Sequence, residues 1–225
     1  SVFMNEIDTR KLNSEQEEIL MKYKVNLLVD NSELKGAPVI YEVNPNYSNL
    51  IGSIEYESKL GTMTTDFLMI RAGSILKANG GYLILNAKDV LKNYQAWESL
   101  KRVIDVGEVK IEGVRSQLDL LTITTIKPQP IPVKLKIVLI GTEQMYQLLY
   151  EYDDDFYRLF KVKVDFEGDI EKNLENLKKF AGYISYYCCQ KNLRHLDRSA
   201  LKELIKYSSR LASSKKRIST RLELI

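Results

Sequence analysis

The run Gly80-Gly81-Tyr82-Leu83-Ile84-Leu85 constrains the fold of this chain more than any other stretch. Four apolar residues follow the two glycines without alternation, which predicts a strand with both faces in a core. From Lys88 the period changes. Val90, Leu91, Tyr94, Trp97, Leu100, Lys101 and Ile104 fall on one helical stripe that ends at Gly107. A strand leading directly into a helix is half of a βαβ unit, so a parallel α/β body is expected. Lys136-Ile137-Val138-Leu139-Ile140-Gly141 repeats the continuous apolar pattern as a second fully buried strand, with a short helix over 143–150 behind it.

Around this centre the patterning is weaker. Val25 to Val29 and Pro38 to Val43 are β-rich runs stopped by Asp30-Asn31-Ser32 and Asn44-Pro45-Asn46, predicting two strands near a sheet edge. Residues 49–52 read as a loop, and 54–72, with Gly61 amid Thr and Ser, as a hairpin or irregular loop. Pro128, Pro130 and Pro132 imply a stiff connector. Val162 to Phe166 alternates as a third strand. Beyond Gly168 the chain reads as all helix, with one stripe of Leu174, Leu177, Ala181, Ile184 and Cys188 and another of Ala200, Leu201, Leu204, Ile205, Ser208 and Leu211, the latter capped by Asp197. The expected organisation is the end of an upstream helical segment over 1–22, with a capping box at Ser14 to Glu17, then an α/β core over 23–168 and a helical subdomain over 169–225. Both ends fall inside periodic patterns, so a piece of a longer protein is expected.

Composition narrows the functions. With 225 residues, 44% of them hydrophobic, the chain can bury one substantial core and a small second lobe. Its 33 basic residues exceed its 30 acidic ones only slightly and are dispersed apart from Lys215-Lys216-Arg217, which argues against a nucleic-acid surface. No apolar run approaches the roughly 18 residues of a membrane span, and no leader pattern opens the chain, so a cytoplasmic location is expected. Cys188 and Cys189 are adjacent and read as buried, reduced thiols, since a bridge between neighbours in a helix is strained. His195 is the sole histidine, which leaves no zinc site and no Ser-His-Asp triad.

Six segments, in order, carry a family resemblance. They are Asn26 to Ser32, Gly36 to Val39, Asn49 to Tyr56, Ala78 to Leu85, Trp97 to Arg102 and Val138 to Gly141. Their sequence and spacing resemble the second half of an AAA+ ATPase module, most closely that of Lon-like ATP-dependent proteases of bacteria and archaea. The likeness runs from about Tyr23 to Arg221. It implies an α/β fold in which a partial AAA+ parallel-sheet core is followed by a small all-α lid.

The resemblance also implies roles. Leu83 to Asn86 matches the Walker B strand. Asn86 stands where the magnesium-associated aspartate belongs, and Ala87 follows where a carboxylate would orient water; an amide and a methyl supply neither charge nor base. Thr142 matches sensor 1, Arg158 the arginine finger that reaches a neighbouring subunit's nucleotide, and Arg221 sensor 2. Leu60, Gly61 and Met63, within Lys59 to Thr65, lie where a substrate-gripping pore loop is found, and residues 117–127 correspond to a hairpin before sensor 1. The plainer alternatives are a surface Arg158 paired with Asp153, Asp154 or Asp155, a solvated Arg221, and core roles for Leu60 and Met63.

No Gly-x-x-x-x-Gly-Lys-Ser/Thr and no Ser-Lys protease motif occurs in this sequence. The resemblance allows ATP and magnesium in the full-length protein, and no cofactor is expected for this segment alone. The implied partners are further copies of the chain in a ring, a hexamer at full length, and unfolded polypeptide substrates, with no membrane and no nucleic acid. The competing readings are a non-proteolytic regulatory relative, similar to enhancer-binding transcription activators, and a stand-alone interaction domain. Because the central strand that leads into a phosphate loop is absent, Lys136–Ile140 and Val162–Phe166 are expected to pair directly, to pair with another copy, or to leave backbone groups unpaired.

Overall fold

A computed structural model of the chain describes residues 23–59, 62–112 and 126–221. The helix end expected over 1–22, the pore-loop residues Leu60 and Gly61, and residues 117–125 of the expected hairpin lie outside these. The chain divides into two compact units, one ending at Lys161 and one beginning at Val162.

In the first unit, strand β1 (Val39–Glu42) is followed by a short helix α1 (Tyr47–Ile51) and strand β2 (Gly52–Ile54). Strands β3 (Glu57–Lys59) and β4 (Thr62–Thr64) form an antiparallel hairpin. A single 3-10 turn leads to β5 (Ile70–Ala72), which pairs antiparallel with β2, and to α2 (Ser74–Lys77). Then come β6 (Tyr82–Asn86), α3 (Ala87–Leu91), α4 (Tyr94–Val106) and β7 (Glu108–Val109). The unit closes with β8 (Ile131–Pro132), β9 (Lys136–Ile140), α5 (Glu143–Tyr152) and α6 (Phe156–Leu159).

The sheet that organises this unit has the order β1-β6-β9, all parallel, with Ile40 opposite Leu83 opposite Ile137. Strand parity sends Leu83 and Leu85 to one face, where both are fully buried. There they join Leu50 of α1, Ile75 of α2, Val90 of α3, and Trp97 and Leu100 of α4 in one core. The opposite face is open: Tyr41, Tyr82, Val138 and Ile140 are 56%, 46%, 42% and 52% exposed. The expectation of strands buried on both faces is therefore corrected. A continuous apolar run records that both faces are apolar, and the described elements cover only one.

Several local readings change for identifiable reasons. Val25 to Val29 forms no strand; Asn26 instead donates through its side chain to the carbonyls of Phe67 and Ile70, at 2.8 and 3.0 Å. Residues 47–51 are helical rather than loop, because Asn46 caps them by accepting the Asn49 N–H. The single helix expected from Lys88 is two, since Asn93 caps a new one by accepting from the Ala96 N–H. It ends as expected at Gly107, whose φ of 77° is left-handed.

Gly80 and Gly81 admit β6 between its neighbours. Gly80 has φ 81° and open space around it, whereas a Cβ on Gly81 would lie 2.0 Å from the Pro38 carbonyl oxygen. That oxygen accepts the Tyr82 N–H at 2.8 Å, and Gly81 accepts from Lys136 at 2.8 Å on the other side.

The second unit contains β10 (Asp169–Glu171), α7 (Leu174–Gln190), α8 (Arg198–Leu211) and β11 (Arg217–Ser219). The expected helices are present, and Asp197 caps α8 by accepting the Ala200 N–H at 2.7 Å. Beyond Gly168 the chain is not wholly helical, however: β10 and β11 form an antiparallel ribbon with Ile170 opposite Ile218. These strands are three residues each, too short for a period to register in sequence. Residues 162–166 form no strand, and Val162, Val164 and Phe166 are 83%, 69% and 92% exposed. Cys188 is buried, but Cys189 is exposed, with Sγ 3.7 Å from His195 Nε2, so the reading of two buried thiols holds only for the first.

Close packing at Gly81 and not Gly80 gives a direct comparison. Gly81→Ala is expected to cost about 3 kcal/mol through overpacking, and Gly80→Ala about 1 kcal/mol through backbone strain alone. Urea denaturation of both variants checks the order, which equal losses would contradict.

Candidate functional site

Parallel strands end at a common edge, and the candidate residues of the first unit begin there. Asn86 is the last residue of β6 and stands opposite Ile140, the last of β9. Gly141 and Thr142 follow Ile140 directly, so the register brings Asn86 and Thr142 to the same edge on adjacent strands. A Cβ on Gly141 would sit 3.2 Å from the Ala87 Cβ, so the two strand ends approach closely.

Both polar residues at this edge are engaged locally. Asn86 Oδ1 accepts the Lys88 N–H at 3.0 Å and caps α3. Thr142 Oγ1 accepts the Met145 N–H at 3.3 Å and caps α5. Ala87 is 4% exposed, a buried methyl. Glu42, the last residue of β1, stands opposite Leu85, and its two oxygens accept from the Asn44 N–H, at 2.9 Å, and from the Ser74 hydroxyl. Among the described residues no three His, Cys, Asp or Glu side chains converge on a cation position. Asn86 and Thr142 bring neutral side-chain oxygens to this edge, each already accepting a backbone N–H.

Arg158 lies on α6, a four-residue helix, and its place is set by aromatic packing and one partly buried carboxylate. Phe156 is 5% exposed and stacks on Phe160 at 5.3 Å, which in turn stacks on Trp97 of α4 at 5.9 Å. Asp153, between α5 and α6, accepts from Trp97 Nε1 at 2.7 Å and from Lys101 Nζ at 3.0 Å. Lys101 and Asp153 are only 11% and 14% exposed in their side chains, so this pair is desolvated and its geometry matters. Arg158 then donates to Asp105, near the end of α4, and to Asp155, through Nη2 at 3.0 Å. These two hydrogen bonds, Asp105 first, raise its already high pKa. The expected partner Asp155 is present, whereas Asp105 is 53 residues away and no local pattern announces it.

Sequence reasoning also missed the Trp97–Lys101–Asp153 clasp. One signal was available: a lysine on an apolar stripe, one turn beyond a tryptophan, needs a buried acceptor. Nothing in the sequence identified that acceptor as Asp153.

Met63 lies in β4 with its backbone opposite Ser58. Arg221 belongs to the second unit, where its backbone N–H donates to Ser219 Oγ at 3.1 Å and the residue is exposed. No helix among the described residues is long and apolar enough to cross a membrane.

The clasp has a pH signature. Burial pushes the Asp153 carboxyl up, but hydrogen bonds from Trp97 and Lys101 and the lysine charge outweigh it, and the net pKa is lowered. A depressed carboxyl stabilises in full above its unfolded value of roughly 3.9, and that contribution is lost as pH falls through the folded value. Asp153→Asn is expected to cost about 1–2 kcal/mol at pH 7. In denaturation series from pH 7 to about 2 the gap to wild type narrows below roughly pH 4; a gap that stays constant would show that the charge of Asp153 is immaterial.

Comparison with known proteins identifies the family. A family model described as LonB-like, AAA domain matches residues 35–167, more than half of the chain, and spans Asn86, Thr142 and Arg158. A second, described as Archaeal LonB, AAA+ ATPase LID domain, matches residues 195–225 and spans Arg221. An archaeal Lon protease of Thermoplasma volcanium is 21% identical over 199 residues, covering 87% of this chain and 30% of that protein. A putative Lon protease homolog of Haemophilus influenzae is 28% identical over 136 residues, covering 59% of this chain and 21% of that protein. The chain thus spans less than a third of the length of these curated relatives. The parallel sheet with its strand-end helices, the helical second unit and the matched models agree: the chain belongs to the LonB-like AAA domain family, as a partial AAA+ core with a helical lid.

Proposed function

We propose that this chain is the part of a Lon-like ATP-dependent serine protease that builds the AAA+ ring, contacts the next subunit and gates the substrate, while its own Walker B position no longer supports ATP hydrolysis. The observation that supports this most directly is the state of the strand end. Asn86 spends its side-chain oxygen on capping α3, and Ala87 is a buried methyl, so these two positions offer neither a charge for magnesium nor a base for water.

In this reading Asn86 and Thr142 face the nucleotide as Walker B and sensor 1, Arg158 reaches a neighbour's nucleotide, and Arg221 is sensor 2. The segment Lys59 to Thr65, with Leu60, Gly61 and Met63, grips unfolded polypeptide. The ring is formed by copies of the chain, six at full length, in the cytoplasm. The domain limits are the core over 23–168 and the lid over 169–225, preceded by the end of a helical segment over 1–22. Both curated relatives are named as Lon proteases or homologs, which favours this reading over a regulatory AAA+ relative.

ATP turnover by the full-length protein, measured beside Arg158→Ala, tests the proposal. Wild type is expected at background, with Arg158→Ala indistinguishable from it. Robust turnover in wild type, lost by about a thousandfold in Arg158→Ala, would retain the finger and overturn the claim of impaired hydrolysis.

A further inference from the structure

We propose that Asp105 and Asp155 hold Arg158 within its own subunit, and that this pairing opposes its use as a contact to a second copy of the chain. The inference rests on the reading of Arg158 as the residue that reaches a neighbour. A guanidinium recognises a planar or tetrahedral anion best through its two-pronged fork. Here both prongs are already taken, Nη1 by Asp105 and Nη2 by Asp155. The three side chains together carry a net charge of minus one, so an incoming anion meets repulsion until at least one carboxylate is exchanged.

The backbones that carry these groups are anchored, which confines the exchange to side-chain rotation. Asp105 is on α4, whose Ala96, Trp97, Leu100 and Val103 are buried. Arg158 is on α6, held by Phe156 in the core and by Asp153 against Trp97 and Lys101. Arg158 and Asp105 are themselves each half exposed, open to solvent and to a neighbouring molecule. An exposed pair of this kind holds its partners weakly, so it biases Arg158 without locking it. Asp105 is the cleaner probe, because Asp155 also lies 3.8 Å from Lys101 Nζ.

Sedimentation velocity of the full-length protein across a concentration series, with and without added ATP, measures the effect as the concentration for half-assembly. Asp105→Asn is expected to lower that concentration by about 2- to 5-fold, Arg158→Ala to raise it, and the double variant to match Arg158→Ala, since a freed latch has nothing to release. Thermal unfolding monitored alongside confirms that Asp105→Asn remains folded. If Asp105→Asn assembles like wild type, or more weakly while Arg158→Ala is also weak, Asp105 is neutral or orients the arginine, and the restraint is overturned with the contact role of Arg158 intact. If Arg158→Ala assembles like wild type, the contact role itself fails and the restraint with it.

Discussion

The register of β6 between β1 and β9 is the constraint on which the first unit depends. Setting Leu83 against Ile40 and Ile137 sends Leu83 and Leu85 into the core and Tyr82 outward, and a slip of one residue would exchange the two faces. Fully burying each leucine stabilises by about 1.5–3 kcal/mol, so the register is strongly specified. The same register brings Asn86 level with Ile140 and so creates the edge from which α3 and α5 start. Site and core are two ends of one pairing.

A second structure hangs on that edge through α4. Trp97 is shared: its ring stacks on Phe160 and its N–H meets Asp153. Asp153 accepts from three donors, Trp97, Lys101 and the Asp155 backbone N–H, which offsets the cost of placing a carboxylate where only 14% of it is exposed. The arrangement orders the turn between α5 and α6 and hence the backbone of Arg158. The side chain of that arginine is left to weaker, solvent-exposed pairing. On the proposed reading, precision in the backbone and latitude in the side chain suit a residue whose partner is another molecule.

How much of the molecule is legible in its sequence depends on the range of the interactions. The strands at 82–85 and 136–140, the helix ending at Gly107 and the cap at Asp197 are local, and residues within a few positions determine them. The faces of the sheet are not legible, because an apolar residue on an open face has the same letter as one in a core. Asn46 and Asn93 each cap a helix without announcing it, because a capping asparagine and a loop asparagine differ only in the conformation of the residues after them. The β10–β11 ribbon and the Arg158–Asp105 pair are out of reach, since both join residues about fifty positions apart. The candidate positions themselves come from ordered family resemblance rather than from chemistry visible at any one residue.

The composition of the strand end separates folding from catalysis. An N-cap needs a short side chain with an acceptor oxygen, and asparagine serves as well as aspartate. A methyl at the first helical position fits the close approach of Gly141. Asn86-Ala87 thus meets both local structural demands of this edge while carrying no charge. On the proposed reading, relaxed demand for hydrolysis removes the catalytic pressure for carboxylates here, and the capping and packing roles remain satisfied without them. A sheet, a capped helix and a clasped arginine then persist as a mechanical element, because each is held by interactions that a loss of hydrolysis leaves untouched.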